Sequence, residues 1–328
     1  MKSSTAASAG GKRYPALYIA PSLALILAIV VFPIVYTAYI SLTNMNLYHW
    51  ADFHVIGLGN YARALGKLDS GFFGALWTTL IWTVVNMALQ LALGFLIALG
   101  LNSRRLRAKR LFKTLLMFPW AMPAYVSILI WRVGVYNTEF GLLNRVLTQV
   151  GLEKVQVLAS NIPAFFACLA LNLWMALPFM IMMFDGALKA IDRCLFESAY
   201  LDGAGFIRQN LYVTVPCVVP IMAPAAVMTT FITFKQFDIL YLLTMQKGSL
   251  TGATLETVIT YAHNNAFVSN NYGLSAAVSI VIFGIIVLLS LLTNRSVRED
   301  GERGSGQARV KRGRMTPVLP GAVDGQRK

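Results

Sequence analysis

The chain has 328 residues, of which 57% are hydrophobic and only 13% charged; soluble domains carry about 25% charged residues, which excludes an ordinary soluble globular protein. The formal charge of +14 suggests nucleic acid as a partner, but the positive residues cluster beside long apolar runs, the arrangement that orients a membrane protein. Cys168, Cys194 and Cys217 lie far apart and give neither a disulfide framework nor metal-ligand spacing.

A helix needs about 20 apolar residues to cross about 30 Å of hydrocarbon, and six runs meet that length. The first, Leu17–Leu42, is longer than a signal-peptide core and no small-x-small site follows it, so it reads as a retained anchor. The second is Trp77–Leu101. The third, Leu111–Val133, contains Pro119 and Pro123, which reshape the helix, and ends at Arg132, which reads as an interface anchor. The fourth is Ile162–Phe184. Asn86 and Asn172, inside the second and fourth runs, suit interhelix hydrogen bonds. The fifth, Val213–Leu243, holds Pro216, Pro220 and Pro224 at four-residue spacing, which frees carbonyls on one face and predicts a kinked helix. The sixth is Gly273–Thr293. His49, His54 and His263 are isolated, and His49 and His54, five apart, read as loop residues.

Orientation follows from Lys and Arg. One set of segments holds Lys2, Lys12, Arg13, the cluster Arg104, Arg105, Arg107, Lys109, Arg110 and Lys113, then Lys189, Arg193 and Arg208, and a basic tail from Arg295. The opposite set holds only Arg63, Lys67, Arg145, Lys154 and Lys247. The basic side is the cytoplasmic one. The fold class is therefore an all-α polytopic membrane protein of six transmembrane helices with both termini cytoplasmic. Residues 1–15 form an N-terminal tail and 16–294 the transmembrane domain. The tail 295–328 has little to bury and reads as disordered, serving as an orientation signal or touching anionic headgroups. No nucleophile–base pair, carboxylate pair or metal cluster occurs at membrane depth, which argues against an enzyme. Apart from the boundary residues Asp185 and Asp238, no acidic or His relay occurs in mid-span and no internal repeat is evident, which argues against an ion-gradient-driven transporter. A channel is a third alternative, which an ATP requirement excludes.

The segment between the fourth and fifth runs, about 186–212, is too mixed to span and long for a turn. It fits a short amphipathic helix with Leu195, Phe196 and Ala199 on one face, turning sharply at Gly203, since only glycine adopts the left-handed conformation cheaply. Glu197, Ser198, Ala199, Asp202, Gly203 and Ala204, followed by Pro216, resemble the EAA loop of ABC importer permeases. Ser198 replaces the middle alanine, and Asp192 stands where the family commonly has proline. Other stretches look like the carbohydrate-uptake branch, the maltose- and glycerol-phosphate-type permeases: Gly57-Leu58-Gly59-Asn60-Tyr61; Phe118-Pro119-Trp120-Ala121-Met122-Pro123 with Gly141-Leu142-Leu143-Asn144; Phe234-Lys235-Gln236-Phe237-Asp238; Ala266-Phe267; and Tyr272-Gly273-Leu274. The family's Gly-Gly-Pro turn after Leu243-Thr244 is absent, and Met245-Gln246-Lys247-Gly248 stands there instead.

The resemblance implies a MetI-like bundle that forms half of a translocation path. It implies a second homologous permease, two ATPase subunits that take the EAA loop, an external or periplasmic solute-binding protein, and a carbohydrate of the di- or oligosaccharide type. Polyol or glycerol phosphate is the alternative substrate. The chain contains no G-x-x-x-x-G-K-[ST] loop, so no cofactor is expected on it, and ATP and Mg belong to the partner ATPase. The resemblance places the substrate path near Phe234, Gln236, Phe237, Asp238 and Tyr241. Packing and binding are both open for these aromatics. Lys235 and Asp238, three apart, suit mutual neutralisation on one helix face.

Overall fold

The computed structural model describes residues 13–66, 71–103, 106–245 and 255–313, and among these the side chains of all but 13–17, 245, 292 and 294–313. Lys2, Lys12, Lys67, Arg104, Arg105, the 246–248 stretch and the end of the basic tail lie outside the described residues. The regular elements among the described residues are all helices, with one isolated bridge, Thr43 to Val55, and no named strand.

Helices α1 (Arg13–Ile26) and α2 (Phe32–Ser41) join through a π-helical turn at Leu27–Val31. Together they give a continuous apolar stretch, Tyr18–Ser41, at the first expected span. The short α3 (Gly59–Leu65) precedes α4 (Phe72–Asn102), which contains the second span. The third span is not one rod. It consists of α5 (Lys109–Ala121) and α6 (Ala124–Ile130), the latter prolonged by a π-helical segment Trp131–Val135, and the two arms are bent by 94°. The ring of Pro123 clashes with a helical residue before it, and Met122 accordingly adopts φ −79°, ψ 142°. Among the described residues, five helices are thus long and apolar enough to cross a membrane, or six if the bent pair counts as one span.

After α7 (Leu142–Gln149), α8 (Asn161–Lys189) carries the fourth span. Then come α9 (Arg193–Leu201), α10 (Phe206–Gln209), a π-helical turn at Asn210–Thr214 and α11 (Val215–Phe234). Pro216 directly follows the π-helical turn, which runs without a break into α11. The helix continues through Pro220 and Pro224, and the break comes later, at residues 235–237, before α12 (Asp238–Leu240) and the π-helical Tyr241–Met245. The interruption of the fifth span therefore falls at a stretch without proline.

After α13 (Val258–Phe267), α14 (Tyr272–Gly313) contains the sixth span at its start. Its backbone is helical to Gly313. No proline interrupts the hydrogen-bond ladder between Tyr272 and Gly313.

The chain divides into two compact units. The first comprises Met1–Trp82, Ile128–Cys168 and Lys235–Ile285. In it Asn60, fully buried, donates to the carbonyls of Ser41 at 2.8 Å and Thr43 at 2.7 Å. Gly273 N–H donates to Met45 O at 2.9 Å, and a Cβ on Gly273 would lie 2.4 Å from Thr43 O. Two motif segments distant in sequence, Gly57–Tyr61 and Tyr272–Leu274, therefore meet at the end of α2. Asn144 does similar work for the 137–155 loop. It donates to Thr138 O at 3.1 Å and Val155 O at 3.0 Å and accepts from Val155 N at 2.9 Å. These motif residues anchor loops.

The second unit comprises Thr83–Ser127, Leu169–Phe234 and Ile286–Lys328. Its core joins α4, α8 and α11 through Ala98, Met180, Ile181, Phe184, Val218 and Met222. In a bilayer such helices associate by close packing and polar contacts, because lipid tails are as apolar as leucine. Gly94 supplies the close approach: a Cβ there would sit 3.2 Å from Met180 Cβ and 3.3 Å from the Phe184 ring. A turn or two away on each side, polar bonds join the same helices. Asn172 Nδ2 donates to Asn86 Oδ1 at 2.5 Å, and Asn102 Nδ2 donates to Asp185 Oδ1 at 2.9 Å. Partner numbers rise together, so α4 and α8 run parallel.

Candidate functional site

The second unit carries the amphipathic segment. Asp192 starts α9 with a side chain that accepts from Cys194 N at 3.0 Å. This satisfies one of the amide donors left over at a helix start, and explains how the chain manages without the family's proline there. At the other end Gly203 adopts φ +75°. Its N–H donates to Tyr200 O at 3.0 Å, and Ala204 N–H donates to Ala199 O at 2.9 Å. These are the two bonds of a Schellman cap. A Cβ at Gly203 would meet nothing within 4 Å, so the requirement for glycine is the backbone angle alone. Gln209 Nε2 then donates to Ala204 O at 2.9 Å and ties the turn to α10.

The expected apolar face is corrected in one residue. Phe196 and Ala199 are half-buried and Phe196 packs on the core, but Leu195 is exposed. On the outer side Glu197, Ser198 and Asp202 are exposed, together with a run of large apolar side chains. Tyr200 is 74% exposed, Leu201 85%, Phe206 74% and Ile207 71%. An open groove of about 430 Å³ is lined by Phe196, Glu197, Tyr200, Leu201 and Gln209. Exposed apolar surface with a polar rim marks a site of contact with another protein or with the membrane.

Just before α9 lies a charged cluster that the sequence reading passes over, treating Asp185 as a boundary residue. The Asp185 side chain is 4% exposed. It accepts from Lys113 Nζ on α5 at 2.6 Å, from Lys189 Nζ one turn along α8 at 2.7 Å, and from Asn102 Nδ2 on α4 at 2.9 Å. Two signals in the sequence point to it: an ionisable residue in an apolar helix, and the i, i+4 spacing to Lys189.

The expected substrate-path residues fall in both units. In the second, Phe234 is 2% exposed and is part of the packed interior. In the first, Gln236, Phe237 and Tyr241 are half-buried and Asp238 is exposed. Lys235 and Asp238 make no ion pair, because the break at 235–237 takes them off a common helix. Phe237 stacks on Tyr241 at 4.8 Å, and His263 lies 4.9 Å from Phe237, 4.6 Å from Tyr241 and 4.9 Å from Phe267, centroid to centroid. His263 sits on α13 at the centre of an aromatic cluster. Its Nδ1 is buried without a hydrogen-bond partner among the described residues. Arg132 also differs from the expected interface anchor. Its Nη1 donates to Leu242 O at 2.9 Å and holds the π-helical segment after α12. Among the described residues no group of three His, Cys, Asp or Glu side chains is placed to hold a metal.

Residues 90–298 match the family of binding-protein-dependent transport system inner membrane components. The chain is 30% identical over 298 residues to the galactooligosaccharides transport system permease protein GanP of Bacillus subtilis, covering 88% of this chain and 71% of that one. It is 31% identical over 276 residues to the trehalose/maltose transport system permease protein MalF of Thermococcus litoralis, covering 84% and 90%. Its fold is similar to that of a chain in a bacterial ABC transporter involved in the import of the acidic polysaccharide alginate, with TM-score 0.73, 20% identity and coverage of 88% and 96%.

Proposed function

The chain belongs to the family of binding-protein-dependent transport system inner membrane components, and from that membership we propose that it is one permease half of an ATP-driven importer for a neutral di- or oligosaccharide, with α9 as the docking element for a separate ATPase. The observation that carries this reading is the surface of α9. The helix is closed at both ends by its own caps and presents Tyr200 and Leu201 to the outside at a groove, beside the exposed Phe206 and Ile207 of α10. In this reading Glu197, Ser198 and Asp202 make the polar rim contacts of the docked helix. Ala199, Gly203 and Ala204 form the tight turn that lets the helix enter a partner's groove. ATP and Mg act on the partner. A second homologous permease completes the path, and a solute-binding protein delivers substrate on the far side. The transport domain is 16–294.

Transport needs two packings of the helices, and closure of the ATPase must favour one of them by differential contacts. For the carbohydrate, the relatives' named substrates point to oligosaccharides. The half-buried Gln236, Phe237 and Tyr241 and the exposed Asp238 offer ring faces and polar groups of the kind that hold a sugar.

The test is purification of the tagged protein from its native membrane in mild detergent, with mass spectrometry of the associated proteins. The expected result is an ATPase bearing a phosphate-binding loop and a second permease, with the ATPase lost in a Gly203→Val variant that still inserts. A stable particle without an ATPase overturns the reading.

A further inference from the structure

The α9 surface says where force enters; the Asp185 cluster bears on how that force is passed on. We propose that Asp185 is a positioning residue that locks the base of α9 to three helices, so that displacement of α9 moves the ends of α4, α5 and α8 as one body. The inference rests on the reading of α9 as the ATPase docking element.

The geometry is specific. One carboxylate uses both oxygens: Oδ1 accepts from Asn102 on α4, and Oδ2 accepts from Lys113 on α5 and Lys189 on α8. Lys109 Nζ adds a 3.4 Å contact to Asn102 O, bringing the start of α5 to the end of α4. Around the carboxylate lies apolar packing. Phe184, its chain neighbour, meets Phe95 of α4 edge to face at 5.6 Å, and Ile191 is buried just before the Asp192 cap. Lys189 is four residues ahead of Arg193, where α9 begins.

Apolar contact alone is non-directional and allows one helix to slide on another. Charge-assisted bonds fix direction as well as distance. Separating any of the three helices here would leave a desolvated carboxylate or the Lys113 ammonium, itself 19% exposed, without its partner, a change disfavoured far more than loss of an apolar contact. The cluster therefore holds the joint closed through the transport cycle, and α9 acts as a lever.

The experiment measures sugar transported per ATP hydrolysed by the complete complex in proteoliposomes. Asp185→Asn keeps the shape and removes the charge. Asp185→Leu combined with Lys113→Met removes both charges in favour of packing, an exchange that commonly preserves folding, and covers the case in which the Asn variant fails to assemble. Asp185→Glu restores the charge. We expect the variants lacking the charge that assemble to retain the ATPase and hydrolyse ATP, while the transport-to-hydrolysis ratio falls about fivefold or more, the lower end of measured coupling energies. We expect Asp185→Glu to recover most of the ratio. An unchanged ratio in an assembled variant without the charge, with wild-type complex bound to its ATPase, overturns the lever alone. Wild-type protein that carries no ATPase overturns both the lever and the docking reading.

Discussion

Helices α9 and α12 are both short, both follow an interruption of the chain, and both have an aspartate at the start, yet they are stabilised in opposite ways. α9 is locally complete: Asp192 caps one end, Gly203 and Ala204 close the other, and its outer side is bare. α12 has three residues and owes its place to distant groups. Arg132 holds the carbonyl of Leu242, Ile239 and Leu240 are buried, and Phe237 and Tyr241 pack on His263 of α13. A helix whose ends are closed by local caps can offer its outer face to a partner. A helix held from every side is suited to form the wall of a site.

The sharpest way to break this contrast is Arg132→Met. It leaves Leu242 O without its charged donor, and bonds to charged groups contribute about 1.5–3 kcal/mol. The expected result is a lower melting temperature and faster amide exchange around Tyr241–Thr244, with α9 unaffected. Equal exchange in both regions would mean that α12 does not depend on that tie. Next in size is Gly203→Val. A β-branched residue at φ +75° is strained by about 1–3 kcal/mol. ATPase retention is expected to fall, while Gly203→Asn, which tolerates that angle, stays close to wild type. Loss in both variants would point to space, not angle, as the requirement.

A smaller effect is expected from Asp192→Ala, which removes the N-cap at a cost of about 1 kcal/mol. Exchange at the first turn of α9 should rise without change at α12. The smallest effect on stability is that of Leu201→Ser. At 85% exposure it should leave the melting temperature within about 0.5 kcal/mol of wild type while reducing the amount of ATPase that co-purifies. A stability loss as large as that of Arg132→Met would show that Leu201 is held within this chain.

How far each region could be read from sequence follows the same contrast. The signals for α9 lie within a dozen residues, so its spacing gave both helix and turn, and even the departure at Asp192 has a local explanation as a cap. The apolar spans were legible because membrane thickness sets their length. The 94° bend at Met122–Pro123 had a visible proline but no visible angle. The break at 235–237 had no signal, since neither proline nor glycine stands there. His263 and Arg132 read as bystanders because their partners, Tyr241 and Leu242, are far along the chain. Asp185 is the intermediate case: Lys189 is a local partner that a helical register reveals, whereas Lys113 and Asn102 come from other helices.

The docking role of α9 is tested most directly by thiol labelling of Leu201→Cys in a Cys194→Ser background, in native membranes before and after peripheral proteins are stripped with urea. Docking predicts protection while the ATPase is bound, full reactivity after stripping, and renewed protection when the ATPase is added back. Equal labelling in all three states would contradict it.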